Sequence, residues 1–290
     1  MISPEILKKI QEIKIRTRRV MNGTLVGGHV TKLKGSGFEF DQIRAYNYGD
    51  DIRFMDWNSS ARTGKLLVRQ YLEEKNRTII LCLDVSASTY FASTQDMTSD
   101  IMQQVIAVLA FTAASEQDNV GLILFSDIIE KFVPPSRGHK HTMFLMETIF
   151  SYKPQHKKTD INVVCRYLME SFKKEAAVFI VSDFIADDFE QSLKQLVCKR
   201  EVLAIRCLDA VVRNIPSVGY VWGQDPETQA TMLLHLSPGQ TTELHKKLED
   251  RLSQQNELFR KCHIDSVDIL ANETFIKTLI LFFKRRMVVP

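Results

Sequence analysis

The run Ile79-Ile80-Leu81-Cys82-Leu83 is apolar at every position and rich in β-branched residues, and it stops abruptly at Asp84-Val85-Ser86-Ala87-Ser88. In a strand, alternate side chains point to opposite faces, so a run apolar throughout has no face for water. It fits a central strand of a parallel sheet covered by helices on both sides. In such sheets ligands bind beyond the carboxyl ends of the strands, where the strand order reverses. Asp84, Ser86 and Ser88 fall at that place, and their spacing of two projects three short oxygen-bearing side chains to one side of an extended turn. Hard cations such as Mg²⁺ are held by oxygen donors of this kind. Taken alone, Asp-x-Ser-x-Ser is also ordinary turn chemistry after a strand.

The rest of the chain from residue 78 alternates strand and helix patterns. Ser99 and Asp100 offer caps for a helix whose Ile101, Val105, Ile106 and Leu109 follow the helical period. Val120–Ser126 reads as a second buried strand, and Ile128–Val133 as an edge strand stopped by Pro134-Pro135. Helices are expected at Thr142–Phe150, Asn162–Phe172, Asp188–Lys199, Thr242–Lys261 and Thr274–Arg286. Strands are expected at Ala176–Ser182, Val202–Leu208 and Ser266–Leu270. Asp225-Pro226-Glu227-Thr228 is turn chemistry between Val218–Val221 and Thr231–Leu236, so an accessory β-hairpin is expected at about 218–236. Single-pass β-α units predict an α/β fold with a doubly wound, mainly parallel sheet.

The first 76 residues differ in character. Residues 3–20 read as a short basic amphipathic helix, and 21–76 as a Gly-punctuated, aromatic block of extended arms and turns without helical periodicity. The block also carries Arg44, Asp50, Asp51, Arg53, Asp56, Arg62 and Arg69, matched charges that suggest ion pairs in a crust packed on another surface. The expected division is 1–76 for this front end and 77–290 for the main domain. Net charge is +3, unevenly spread: residues 1–77 hold 15 Lys and Arg against 9 Asp and Glu. That falls short of the dense basic stripe of a nucleic-acid binder, and the interleaved acids argue against that role.

Five cysteines, an odd number without Cys-x-x-Cys pairing, predict reduced thiols. The N-terminus lacks the apolar core of a signal peptide, and Phe275–Phe283 is far short of a membrane span. The expectation is a soluble, cytoplasmic chain without a transmembrane segment.

Two further loops offer oxygen ligands on the same edge of the sheet: Thr159-Asp160, opening the helix at Asn162, and Asp183, ending the strand Ala176–Ser182. Each has a plainer reading, Thr159 as a helix cap and Asp183 as a turn residue. With Asp84, Ser86 and Ser88, the pattern resembles the von Willebrand factor A fold and its metal-ion-dependent adhesion site, over about residues 77–212 and 262–288. That resemblance implies Mg²⁺ (or Mn²⁺) as the cofactor, Ser86 and Ser88 as direct ligands, Thr159 direct or through water, and Asp84 and Asp183 mostly through water. It further implies a position left open for an Asp or Glu of a protein client. A longer resemblance rests on Gly35–Phe40, Ile43–Arg53 and Asp56–Arg62 and covers nearly the whole chain. These segments are similar to the hallmark of the domain of unknown function 58 family of bacteria. Members of that family are often encoded beside MoxR-type AAA+ ATPases, which implies a chaperone-like partnership in remodelling or maturing other proteins. Thr89-Tyr90 stand where Met is common after Ser88, and Gln229 stands where a turn Gly is usual.

The rival class is a metal-dependent hydrolase acting on phosphoesters. That chemistry uses an Asp nucleophile with a second Asp two residues on, and Ser86 occupies that place; no Gly-rich phosphate loop follows the strand. His139, His141 and His156 lie among Lys and Arg in polar stretches, which reads as solvated loop. No enzymatic activity is therefore expected.

Overall fold

The structure is a computed structural model that describes residues 38–48, 50–73, 77–90, 97–186, 188–212, 215–227, 229–270 and 275–288. The helix expected over 3–20 lies outside the described residues. Two compact units divide at the junction of Arg77 and Thr78.

The first unit pairs β1 (Phe38–Ala45) with β2 (Leu67–Glu73) in antiparallel fashion, with a register shift between Phe40 and Gln42. Between them runs α1 (Trp57–Thr63), a helix the glycine-and-aromatic pattern did not predict. At seven residues it is too short to show a period, and its ends define it. The Asp56 side chain accepts the Ser59 N–H, and Gly64 closes the last turn at φ 66°, a conformation that costs glycine nothing. The expected ion pairs are present: Arg44 grips Asp50 through two 2.7 Å bonds, Arg53 reaches Asp51, and Arg69 reaches Asp56.

The second unit is built on a six-stranded sheet. In chain order the elements are β3 (Thr78–Asp84), α2 (Thr98–Ser115), β4 (Asn119–Phe125), β5 (Ile129–Ser136), α3 (His139–Ser151), α4 (Ile161–Glu170), β6 (Ala177–Ser182), α5 (Glu190–Val197) and β7 (Glu201–Leu208). After them come the hairpin β8 (Gly219–Gln224) and β9 (Thr231–Leu236), then α6 (Pro238–Lys261), β10 (Asp265–Leu270) and α7 (Phe275–Val288). The strand order is β10-β7-β6-β3-β4-β5, parallel throughout except for β5. This is the expected α/β architecture with a mainly parallel sheet. The hairpin forms its own two-stranded sheet.

The uniformly apolar run explains the layering. Leu81 and Leu83 face one hydrophobic cluster with Val105 and Ile106 of α2, Leu145 of α3 and Leu279 of α7. Ile80 and Cys82 face the other, with Val164 of α4, Leu196 of α5 and Phe259 of α6. From β3 the chain builds outward to β4 on one side and later to β6 on the other. The loops leaving β3 and β6 therefore lead to helices on opposite faces, and a crevice opens between them at the carboxyl edge.

Several boundaries differ from expectation, α3 for instance starting at His139 rather than Thr142, and three of the differences have a clear physical reason. The N-cap of α2 is Met97, without a side-chain cap bond, so Ser99 and Asp100 sit in the first turn instead. Strand β5 continues through Pro134-Pro135, because an edge strand has an unpaired side and a register shift opposite, between Val120 and Leu122, absorbs the prolines. Helix α6 starts four residues before Thr242, with Pro238 in its first turn, where a missing N–H costs nothing. All five cysteines are free thiols. No helix among the described residues is long and apolar enough to cross a membrane.

Arg206 of β7 ties the far side of the sheet together. Its guanidinium is fully buried, donates to both oxygens of Asp268 on β10 at 2.9 and 2.7 Å, and reaches Gln255 and Asn256 of α6 at 2.7 Å each. Removing Asp268 strands a buried charge, so Asp268→Ala should lower stability by about 3 kcal/mol in chemical denaturation. Arg206→Met should cost less, because half-exposed Asp268 can be hydrated. Equal effects of the two substitutions would contradict this account of the pair.

Candidate functional site

The site begins where β3 ends. Asp84 is the last residue of the strand, and its Oδ1 accepts the Ser86 N–H at 2.9 Å, which folds the chain into a tight turn. The Val85 N–H bonds to the Phe125 carbonyl, and Thr89 Oγ1 donates to the Ser86 carbonyl at 2.8 Å, locking residues 87–90 into a 3-10 turn. Thr89 is fully buried, so the position noted as unusual in the sequence is a structural cap of this loop. Held in this way, Ser86 Oγ and Ser88 Oγ lie 3.1 Å apart.

The second loop is fastened to the first by the backbone. The Ala87 N–H bonds to the Lys157 carbonyl at 2.9 Å, and the Asp160 N–H bonds to the Ser126 carbonyl at 3.1 Å. Helix α4 is capped by Asp160, whose Oδ1 takes the Asn162 N–H. Thr159 is thus released from the capping role, and its hydroxyl donates to Oε1 of Glu227, in the β8–β9 turn, at 2.9 Å.

The third loop follows β6. Asp183 Oδ1 closes a turn by accepting the Ile185 N–H at 2.9 Å, and the carboxylate also receives the Ser88 hydroxyl. The next residue, Phe184, takes φ 57°, an expensive conformation for a bulky side chain; its ring is wedged edge-on against Phe259 at 5.1 Å. Core packing therefore fixes the turn that aims Asp183.

The structure brings Asp84, Ser86, Ser88 and Asp183 together in one hydrogen-bonded set and fastens the Thr159 loop beside it. Two contributors carry no signal as site residues in the sequence. Ser182 donates to Asp84 Oδ2 at 2.6 Å and accepts the Phe184 N–H at 2.9 Å. The other is Glu227. The only trace of Ser182 in the sequence is a hydroxyl ending an otherwise apolar strand, which must find a partner once buried.

Burial grades the site. Asp84 and Ser86 are fully enclosed and Asp183 nearly so, whereas Ser88 and Thr159 are half-exposed. A cavity of about 530 Å³ opens beside them, lined by Ser88, Asp183, Asp209, Glu227, Leu248 and Arg251. Burial, and then the neighbouring Asp183 carboxylate, push the Asp84 carboxyl up to about 7, against the hydrogen bonds from Ser182 and Ser86. Burial likewise raises Asp183, opposed by the Ile185 N–H, the Ser88 hydroxyl and the charge of Arg251. Two enclosed carboxylates thus stand in need of positive charge.

That donor set fits a hard divalent cation. Adjacent oxygens of an octahedral Mg²⁺ shell, with bonds of about 2.0–2.1 Å, are about 3 Å apart, close to the Ser86–Ser88 separation. Among the described residues no group of three or more His, Cys, Asp or Glu could hold a metal ion. His139 and His141 do not lie in the expected solvated loop but open helix α3, where His141 bonds the Val120 carbonyl, while His156 pairs with Asp127.

The family model described as "Protein of unknown function DUF58" matches residues 42–255. Over 286 residues the chain is 24% identical to the Uncharacterized protein Mb1516 of Mycobacterium bovis and, equally, to the Uncharacterized protein Rv1480 of Mycobacterium tuberculosis, covering 98% of this chain and 90% of each relative. Among solved structures it is similar to a conserved hypothetical protein BatB of Bacteroides thetaiotaomicron, with TM-score 0.48 and 15% identity over 73% of this chain and 98% of that one. An aerotolerance-related membrane protein of Bacteroides fragilis gives TM-score 0.48 and 13% identity, over 72% and 99%.

Ser182→Ala removes a donor to a buried carboxylate and an acceptor for a buried N–H. It should lower stability by about 1–3 kcal/mol in urea denaturation with EDTA present. An unchanged midpoint would mean that the Asp84 carboxylate does not depend on this bond.

Proposed function

We propose that this chain, which belongs to the DUF58 family, is a metal-dependent protein-recognition module with a von Willebrand factor A-like main domain. In this reading Mg²⁺ or Mn²⁺ is held by the hydroxyls of Ser86 and Ser88, with Thr159 direct or through water. Asp84 and Asp183 balance the charge from behind. The observation that carries the reading is the 3.1 Å pair of serine oxygens backed by two enclosed carboxylates. When bound, the cation supplies a Lewis-acidic position that an Asp or Glu of another protein completes.

The chain's own residues do the positioning. The Ser86 N–H and the Ser182 hydroxyl occupy both oxygens of Asp84, so that carboxylate is oriented before any ion arrives. The Ile185 N–H holds Oδ1 of Asp183, and the Ser88 hydroxyl donates to the same carboxylate. With its carboxylates engaged in this way, the site keeps a bound cation electrophilic, because the donors left for it are mostly neutral alcohols. This suits recognition better than hydrolysis, since Ser86 stands where an acid/base carboxylate would be needed. The proposed partner is a MoxR-type AAA+ ATPase, with a protein client offering the carboxylate.

Mg²⁺ at about one hundred times its dissociation constant should stabilise the protein by about 2.7 kcal/mol, a rise in Tm of roughly 5 °C. The Ser86→Ala, Ser88→Ala double variant should show no such shift. Capture of a MoxR-type ATPase should require Mg²⁺, fail in EDTA, and fail for Asp84→Ala with circular dichroism unchanged. Equal capture under all of these conditions would overturn the reading.

A further inference from the structure

A further oxygen-bearing side chain reaches the site from an element with no part in the three-loop pattern. The β8–β9 hairpin lies in the sequence between β7 and α6, and its turn is unusually well fastened. The Asp225 N–H bonds to the Ala230 carbonyl at 2.9 Å, and the Gln229 N–H bonds to the Asp225 carbonyl at 2.8 Å. The Glu227 N–H bonds to Asp225 Oδ1 at 2.9 Å, and the Gln229 side chain donates to the Pro226 carbonyl at 2.8 Å. Gln229 adopts φ 61°, where glycine would be unstrained, and its side-chain bond helps hold it there. Such a turn presents Glu227 in one direction.

That direction is toward the Thr159 hydroxyl. Glu227 Oε1 is 2.9 Å from Thr159 Oγ1, across 68 residues of chain, and Glu227 lines the same cavity as Ser88 and Asp183. Two consequences follow. The Thr159 proton is directed to a carboxylate, which leaves the hydroxyl's lone pairs for a cation. And an anionic oxygen stands beside that hydroxyl, where it could be offered to a hard cation that the hydroxyl would hold.

We infer that Glu227 is the chain's own carboxylate on this site, filling in the resting protein the position for which a partner's Asp or Glu must compete. The inference rests on the cation reading proposed above and adds to it that the site is self-occupied. A partner then has to displace the hairpin turn as well as offer a carboxylate, so isolated acidic side chains bind poorly while a partner that shifts the turn binds well.

The test uses Mn²⁺ alone on the full chain, with affinity read by electron paramagnetic resonance and bound water counted by water-proton relaxation. Glu227→Ala should bind Mn²⁺ roughly tenfold more weakly than wild type. Its bound Mn²⁺ should carry about one more exchangeable water, the position vacated by the carboxylate. Acetate, as the simplest carboxylate, should displace that extra water at concentrations that leave wild-type Mn²⁺ unaffected. Glu227→Gln keeps the shape and loses the charge, so it should weaken Mn²⁺ binding while folding as wild type does. Mn²⁺ binding that requires Asp84 but is identical in affinity and hydration across wild type and both Glu227 variants would overturn this inference and leave the cation site standing. No Mn²⁺ binding to the wild type would overturn both.

Discussion

Asp84 and Asp183 end neighbouring strands, and the sheet that positions them also takes them out of water. Like charges enclosed together are among the most unfavourable arrangements a fold can contain. Here the cost is offset locally by the Ser86 and Ile185 N–H groups and by the hydroxyls of Ser182 and Ser88. The cost that remains shows in the Asp84 carboxyl, which burial and the neighbouring Asp183 push up to about 7. The crevice beside them is lined by the Ser88 hydroxyl and the acids Asp209 and Glu227, with Arg251 close enough to influence Asp183.

The scaffold makes such an arrangement possible. Ile80–Leu83 bury residues on both faces, so β3 is fixed from both sides and its end cannot drift. Strands β3 and β6 run side by side in parallel, Leu83 opposite Val181, which puts Ser182 level with Asp84 and Asp183 one residue beyond. The wedged Phe184 ring and the buried Thr89 hydroxyl hold the two turns from within the core. Changes that loosen this packing would be felt at the site before they unfold the domain.

The apolar run at Ile79–Leu83 and the strand–helix alternation were enough to predict the α/β class and the mainly parallel sheet, and the turn residues Asp225–Thr228 the hairpin. Long elements with strong periods are legible because burial acts on every residue of a face. Short or capped features are less so. Helix α1 depends on Asp56 and Gly64 rather than on a period, and the start of α6 depends on Pro238. Asp84, Ser86 and Ser88 are visible as a motif because they are close in sequence. Ser182 and Glu227 were not legible as site residues, since each is recognisable only through a partner distant in the chain, 98 and 68 residues away. Sequence alone also gave Thr159 a capping alternative, which the structure assigns to Asp160.

The proposed function depends on whether a divalent cation enters the space framed by the serine hydroxyls. Anomalous diffraction from crystals soaked in Mn²⁺ answers this directly. The account predicts a single strong peak within about 2–2.5 Å of Ser86 Oγ and Ser88 Oγ, lost in crystals of Asp84→Ala. Absence of that peak at saturating Mn²⁺, with Ser86 Oγ and Ser88 Oγ still within hydrogen-bond distance of each other, would contradict it.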